Sequence, residues 1–213
     1  MDDSFTYVVE NAKEYTRNVG LPKEVLTATL IVLAGDSEQI RVLGMGDGGY
    51  VVLPTEQTAK QGTLYNSPRV RTVEYKDNYP MYPIYLREKN FYMQESNMMV
   101  KHLVDLETGT CLASEHSFER KPSMSETFST DEVKFIGVFS DGMECFLDQD
   151  NQLIPLREIM NRVVDFKQLK GNFIQRRMNR FLKDCRKLDW LPYDDISFGG
   201  IWCGDQDEDT SRE

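Results

Sequence analysis

Apolar residues at Phe5, Val8, Val9, Ala12, Tyr15 and Val19 recur every three or four positions, the spacing of one helical face. Gly20 offers a left-handed stop and Pro22 lacks the N–H that a continuing helix needs, so the helix is predicted to end there. The period then changes. Residues 27–33, 40–45 and 50–53 are short, apolar, partly β-branched runs, separated by Gly35-Asp36-Ser37-Glu38 and by Gly46-Asp47-Gly48-Gly49. Asp-Gly between such runs is a hairpin signal, because glycine accepts positive φ, and three consecutive antiparallel strands are expected.

Residues 62–118 are rich in Tyr, Thr, Val and Arg and hold no helical period, which predicts short strands and long loops. The polar run 119–131 reads as a surface loop, and 133–139 as a strand running into Ser140-Asp141-Gly142. Helical spacing returns in Leu156, Ile159, Met160, Val163 and Val164, and again in Phe173, Ile174, Met178, Phe181, Leu182 and Cys185. Lys170-Gly171-Asn172 separates the two helices. The basic residues Arg176, Arg177, Arg180, Lys183, Arg186 and Lys187 read as the solvated face of the second. A last strand is expected over 196–202. This order lacks βαβα alternation and predicts an α+β fold with largely antiparallel sheets. Residues 1–204 are expected to form one domain and 205–213 an acidic disordered tail.

Charge narrows the classes of partner. The 35 Asp+Glu exceed the 25 Lys+Arg, for a net charge of −10, which argues against a nucleic-acid partner and suits cations better. Cys111, Cys145, Cys185 and Cys203 contain no C-x-x-C pair, so buried reduced thiols are expected rather than a zinc site. No signal peptide or run of about 18 apolar residues is visible, and a soluble, cytoplasmic protein with no membrane partner is expected. His102 and His116 accompany no nucleophile motif, and no phosphate-cradling G-x-x-x-x-G-K-[ST] occurs.

Candidate chemistry lies in aspartates at strand ends. Asp47 follows Val42-Leu43-Gly44-Met45-Gly46, Asp141 follows Ile136-Gly137-Val138-Phe139-Ser140, and Asp194 with Asp195 precedes Ile196-Ser197-Phe198. Taken singly, each is an ordinary turn residue. Brought to one sheet edge without Lys or Arg, such carboxylates call for a hard divalent cation, Mg²⁺ or Mn²⁺.

In these stretches the sequence resembles the type 2C, metal-dependent (PPM) protein phosphatases. Thr27-Ala28-Thr29 through Gly46-Asp47-Gly48 looks like that family's "s-T-a … v-G-D-S-r" region. Phe135 to Glu144 is similar to its "S-D-G" strand, and Tyr193-Asp194-Asp195-Ile196-Ser197 to its closing "D-N/D-x-T/S" strand. The resemblance implies an αββα sandwich of two antiparallel sheets flanked by helices. It also implies two or three Mg²⁺ or Mn²⁺ ions held by Asp47, Asp141 and Asp194, and hydrolysis of phosphoserine or phosphothreonine in a protein substrate by metal-activated water. By the same resemblance Asp141 and Asp194 bind the core pair, and Asp47 with Asp141 a more labile third ion. The family's first strands, with their "D-G-x-G" bridging Asp, have no counterpart before the first helix here. The chain therefore resembles an N-terminally incomplete member, for which weak turnover is expected. The alternatives are a non-catalytic pseudophosphatase used as a regulatory binding module, and an unrelated acidic β-rich interaction domain.

Overall fold

The computed structural model describes residues 3–60, 66–78, 80–85, 98–117 and 123–204, apart from the side chains of residues 3–5 and 23. The expected acidic tail, 205–213, lies outside them. The chain begins the sheet region with the expected hairpin. β1 (Leu30–Gly35) pairs antiparallel with β2 (Gln39–Met45). Their turn is fixed by Asp36, whose carboxylate accepts the N–H groups of Glu38 at 2.8 Å and Gln39 at 3.0 Å.

The next strand departs from expectation. β3 (Gly48–Pro54) does not pair with β2, so Gly46-Asp47-Gly48 is no hairpin turn but the step from one sheet to another. Gly46 (φ +97°) and Gly48 (φ +100°) both hold left-handed backbone, which allows that change of direction. β3 instead lies between β4 (Arg69–Tyr75) and β8 (Val133–Phe139). With β5 (Met99–Asp105), β6 (Cys111–Ser117) and β11 (Phe198–Trp202) they form a six-stranded sheet in the order β11-β8-β3-β4-β5-β6.

β2's free side is taken by β7 (Met124–Ser129), completing a three-stranded sheet β1-β2-β7. β7 takes up six residues of the stretch 119–131 expected to be loop, of which 119–122 lie outside the described residues. Its period of two is real: Met124 and Phe128 are buried, and Ser125 and Thr127 exposed. Met124 and Phe128 are its only apolar residues, so the alternation hid in a polar composition. Arg71 on β4 ties the sheets together, donating to Glu126 on β7 at 2.6 Å and to Glu115 on β6 at 3.3 Å.

Both faces of the large sheet are covered, which is why β3 reads as an unbroken apolar run: all seven of its residues are buried. Tyr50 and Val52 join Ile40, Val42, Val73, Met99 and Met124 between the sheets. Val51 and Leu53 turn the other way, toward α3 (Leu156–Val163) and α4 (Phe173–Lys187). There Phe135, Phe146, Ile159 and Phe181 are fully buried, each contributing about 1.5–3 kcal/mol by leaving water. Shorter elements are α2 (Glu56–Ala59) and the two-residue strands β9 (Phe146–Leu147) and β10 (Leu191–Pro192).

The architecture is thus α+β, two antiparallel sheets flanked by helices. α1 (Asp3–Asn18) has nearly the expected length but a different environment. Val9 is buried, while Val8, Tyr15 and Val19 on the expected inward face are 43, 68 and 50% exposed. The helix packs mainly on the 3₁₀ turns Lys23–Leu26 and Pro83–Tyr85, while Val9 joins the core between the sheets. The cysteines are free thiols, as expected, but Cys185 alone is buried, and Cys111 is exposed on the edge strand β6. Among the described residues no helix is long and apolar enough to cross a membrane.

Candidate functional site

Sheet register decides where the aspartates go. Phe139, the last residue of β8, lies opposite Gly49 on one side and Phe198 on the other. Asp47 therefore leaves β3, Asp141 leaves β8, and Asp194-Asp195 approach β11 at the same end of the large sheet. The same register, with Gly48 opposite Val73, carries Asp47 to a position across from Glu74 on β4.

The backbone at this end is held by short-range fastening. Ser140 donates its N–H to the Ser197 carbonyl at 3.2 Å and its hydroxyl to the Asp195 carbonyl at 3.1 Å, and its Oγ accepts the Ser197 N–H at 2.9 Å. Gly142 permits that approach, because a Cβ there would collide with the Asp195 carbonyl. On the other sheet, the Ser123 hydroxyl lies 3.1 Å from the carbonyl oxygens of both Gly44 and Gly46, holding the step between sheets. Each aspartate is also oriented: Asp47 accepts the Thr29 hydroxyl at 2.6 Å, Asp141 the Gly142 N–H at 3.1 Å, and Asp194 the Asp195 N–H at 2.7 Å.

The carboxylates act on one another. Burial raises the Asp141 pKa above its usual value, and the charges of Asp47 and Asp194 push it further. Glu144, on the 3₁₀ turn Asp141–Glu144, is pushed up to about 8 by burial first, then by Glu74, Asp141 and Asp47. Among the described residues, no lysine or arginine figures among the charges acting on either group. Two tyrosines border the cluster. Burial raises Tyr75 to about 12 and raises Tyr82 as well, each with help from Asp47.

Asp47 and Asp194 thus lie near enough for their charges to act on Asp141, and Asp195 contributes its backbone rather than a charge that acts on Asp141 or Glu144. Sequence reasoning missed Glu74, Glu144, Tyr75 and Tyr82. Glu144 could have been found three residues beyond Asp141 in the same turn; Glu74 required the register of β4. Cys145 offers no alternative nucleophile, because burial first, and then the neighbouring acids, keep its thiol protonated.

The oxygen donors have the chemistry for Mg²⁺ or Mn²⁺. Their arrangement is open: among the described residues no three Asp, Glu, His or Cys groups gather closely enough to hold one ion. Beside the cluster, a cleft of about 360 Å³ runs between Thr29, Leu30 and Ile31 at β1 and Ser197, Phe198 and Gly199 at β11. Both strands are edges of their sheets. In comparisons with known proteins, no family model matches the chain, and no curated protein or solved structure matches it significantly.

Proposed function

We propose that this chain is a metal-dependent phosphoserine/phosphothreonine phosphatase domain of the type 2C kind, with Asp47, Asp141 and Asp194 as the cation ligands. The observation that carries the reading is their arrival at one sheet end, with Asp141 raised by burial and then by its two acidic neighbours, and with no lysine or arginine among the described residues acting on it. A divalent cation there would supply Lewis acidity, lowering the pKa of water and neutralising phosphoryl oxygens. The chain's own groups do the rest. Ser140 and Gly142 hold Asp141 and the 194–197 segment in register, and Thr29 orients Asp47.

The open spacing of the carboxylates favours low activity in this chain alone, since a misplacement of about 1 Å can cost 10²-fold in rate. A further carboxylate brought to the β1–β11 cleft by an added strand would close the cluster. The test is hydrolysis of a phosphothreonine peptide with Mn²⁺. Weak Mn²⁺-dependent turnover, lost in Asp141→Asn, is expected. Mn²⁺-independent turnover, or turnover untouched by Asp141→Asn, would contradict the reading. The same open spacing favours, as a second reading, a non-catalytic pseudophosphatase, which Mn²⁺ binding without any turnover would support.

A further inference from the structure

The far end of β8 carries the opposite charge. Phe135, near the start of β8, packs against Phe166 (ring centroids 4.9 Å apart) and Phe173 (6.4 Å), which meet each other edge to face at 5.1 Å. Phe166 and Phe173 line a pocket of about 140 Å³ together with Lys167, Arg176, Arg177 and Arg180. Among the described residues no acidic side chain lines it. In a chain of net charge −10, four cationic side chains around one concavity run against the average. Phe173, Arg176, Arg177 and Arg180 stand at i, i+3, i+4 and i+7 on α4, so they share one helical stripe. Like charges four residues apart, as Arg176 and Arg180 are, weaken a helix. The stripe costs the fold stability and does not support it.

Two of the guanidinium groups are fixed in place by neutral partners. Gly171, left-handed at φ +62°, turns the connection between α3 and α4, and Arg176 donates there to the carbonyls of Gln168 and Lys170. Arg177, half-buried, donates through Nε to the carbonyl of Arg162. These bonds orient each fork without neutralising it, and a guanidinium has five N–H donors, more than they use. The neighbouring acids stand to one side. Asp165 and Asp184 act on Arg177 and line the adjoining concavity with Glu158, and Asp165 pairs with Lys167 at 3.0 Å.

Charge and shape select the ligand. A carboxylate brings one negative charge and two oxygens, whereas a phosphate monoester near neutral pH brings about two charges and three strong acceptors, which guanidinium forks match in pairs. The two rings add an apolar wall for the carbon group that carries the ester. We propose that the pocket of Lys167, Arg176, Arg177 and Arg180 binds a phosphate monoester dianion, with Phe166 and Phe173 against its organic group. Phe135 and Asp141 are separated by about 20 Å of extended chain, so this site is distinct from the acidic end and independent of the phosphatase reading.

The test is binding to the full chain, followed by amide shifts in NMR, at pH 7.5 and low salt with EDTA present, so that no cation at the acidic end can hold phosphate. Phenyl phosphate is expected to bind with a dissociation constant on the order of 1 mM, at least about fivefold more tightly than benzoate or inorganic phosphate, and to shift the amides of residues 166–180. At pH 5 it should bind about threefold more weakly, because the ester loses its second charge while the arginines keep theirs. Lys167→Gln/Arg180→Gln should weaken binding at least about tenfold without changing the melting temperature, and each single substitution should weaken it less. A phosphothreonine peptide forms the second arm. Tighter binding than phenyl phosphate would support a phosphorylated side chain of a partner protein as the source of the ester, and weaker binding a small organic phosphate. No shift with either probe at about 10 mM would overturn the proposal, as would benzoate or inorganic phosphate binding as tightly as phenyl phosphate. Shifts centred on Asp47 and Asp141, or binding that Lys167→Gln/Arg180→Gln leaves intact, would equally overturn it.

Discussion

The two ends of β8 hold opposite charge and treat it differently. At the Phe135 end, basic groups on α3, α4 and the segment between them are met by backbone carbonyls, by two carboxylates and by an aromatic face, with Arg162 lying 4.8 Å over Trp190. At the Asp141 end, carboxylates act on one another, and among the described residues no lysine or arginine acts on Asp141 or Glu144. Surface charge of the first kind is cheap to keep and cheap to lose. Uncompensated charge of the second kind costs stability, and such arrangements concentrate at functional sites. The difference separates a face whose charges are met one by one from an end whose charges act on one another.

The largest effect should come from the backbone that brings the acidic end together. Gly142→Ala forces a Cβ into the Asp195 carbonyl and should cost about 3 kcal/mol in urea unfolding, whereas Gly199→Ala, with nothing within 4 Å, should stay within about 0.5 kcal/mol. Equal effects would mean that the 194–197 segment is not packed as described.

Next is pH. Glu144 rises from 4.5 to about 8 in the fold, so between those values the folded state holds a proton that the unfolded chain has released. Stability should therefore fall as pH rises through that window, by up to ~1.4 kcal/mol per unit, and level off above it. Asp141, raised in the same direction, adds to the fall from its lower starting point. Glu144→Gln should flatten the slope; a profile that rises from pH 5 to 8 would contradict the burial of these acids. At the basic end the effect should be smallest, with Lys167→Gln/Arg180→Gln changing stability by no more than about 0.5 kcal/mol.

How much of this was legible beforehand depends on which interactions set each element. α3 and α4 bury one apolar stripe on one sheet face, so their 3.6-residue period survives in the sequence and their positions were readable. Partners across sheets were not. Nothing local in Gly46-Asp47-Gly48 distinguishes a hairpin from a step between sheets, because both need positive φ; pairing to β4 and β8 decided it. β7 carries Met124 and Phe128 among polar residues, and its strand state comes from β2's free edge. The helical period of α1 was readable, but nothing in the stripe could say that Val8, Tyr15 and Val19 would stay exposed while Val9 was buried. Asp47, Asp141 and Asp194 were visible as strand-end residues. Glu74 and Tyr75 entered through long-range register, and Glu144 through burial.

The acidic end as a cation site is tested most directly by thermal melts with and without Mn²⁺ at pH 7.5, on the unaltered chain and on Asp141→Asn. At ten times its dissociation constant Mn²⁺ should stabilise the chain by about 1.4 kcal/mol, a rise in Tm of roughly 3–5 °C for a domain of this size. Asp141→Asn should melt no lower than the unaltered chain without metal, because it removes mutual repulsion, and should lose most of the Mn²⁺ response. A melt indifferent to millimolar Mn²⁺, or a response that Asp141→Asn leaves intact, would contradict the account.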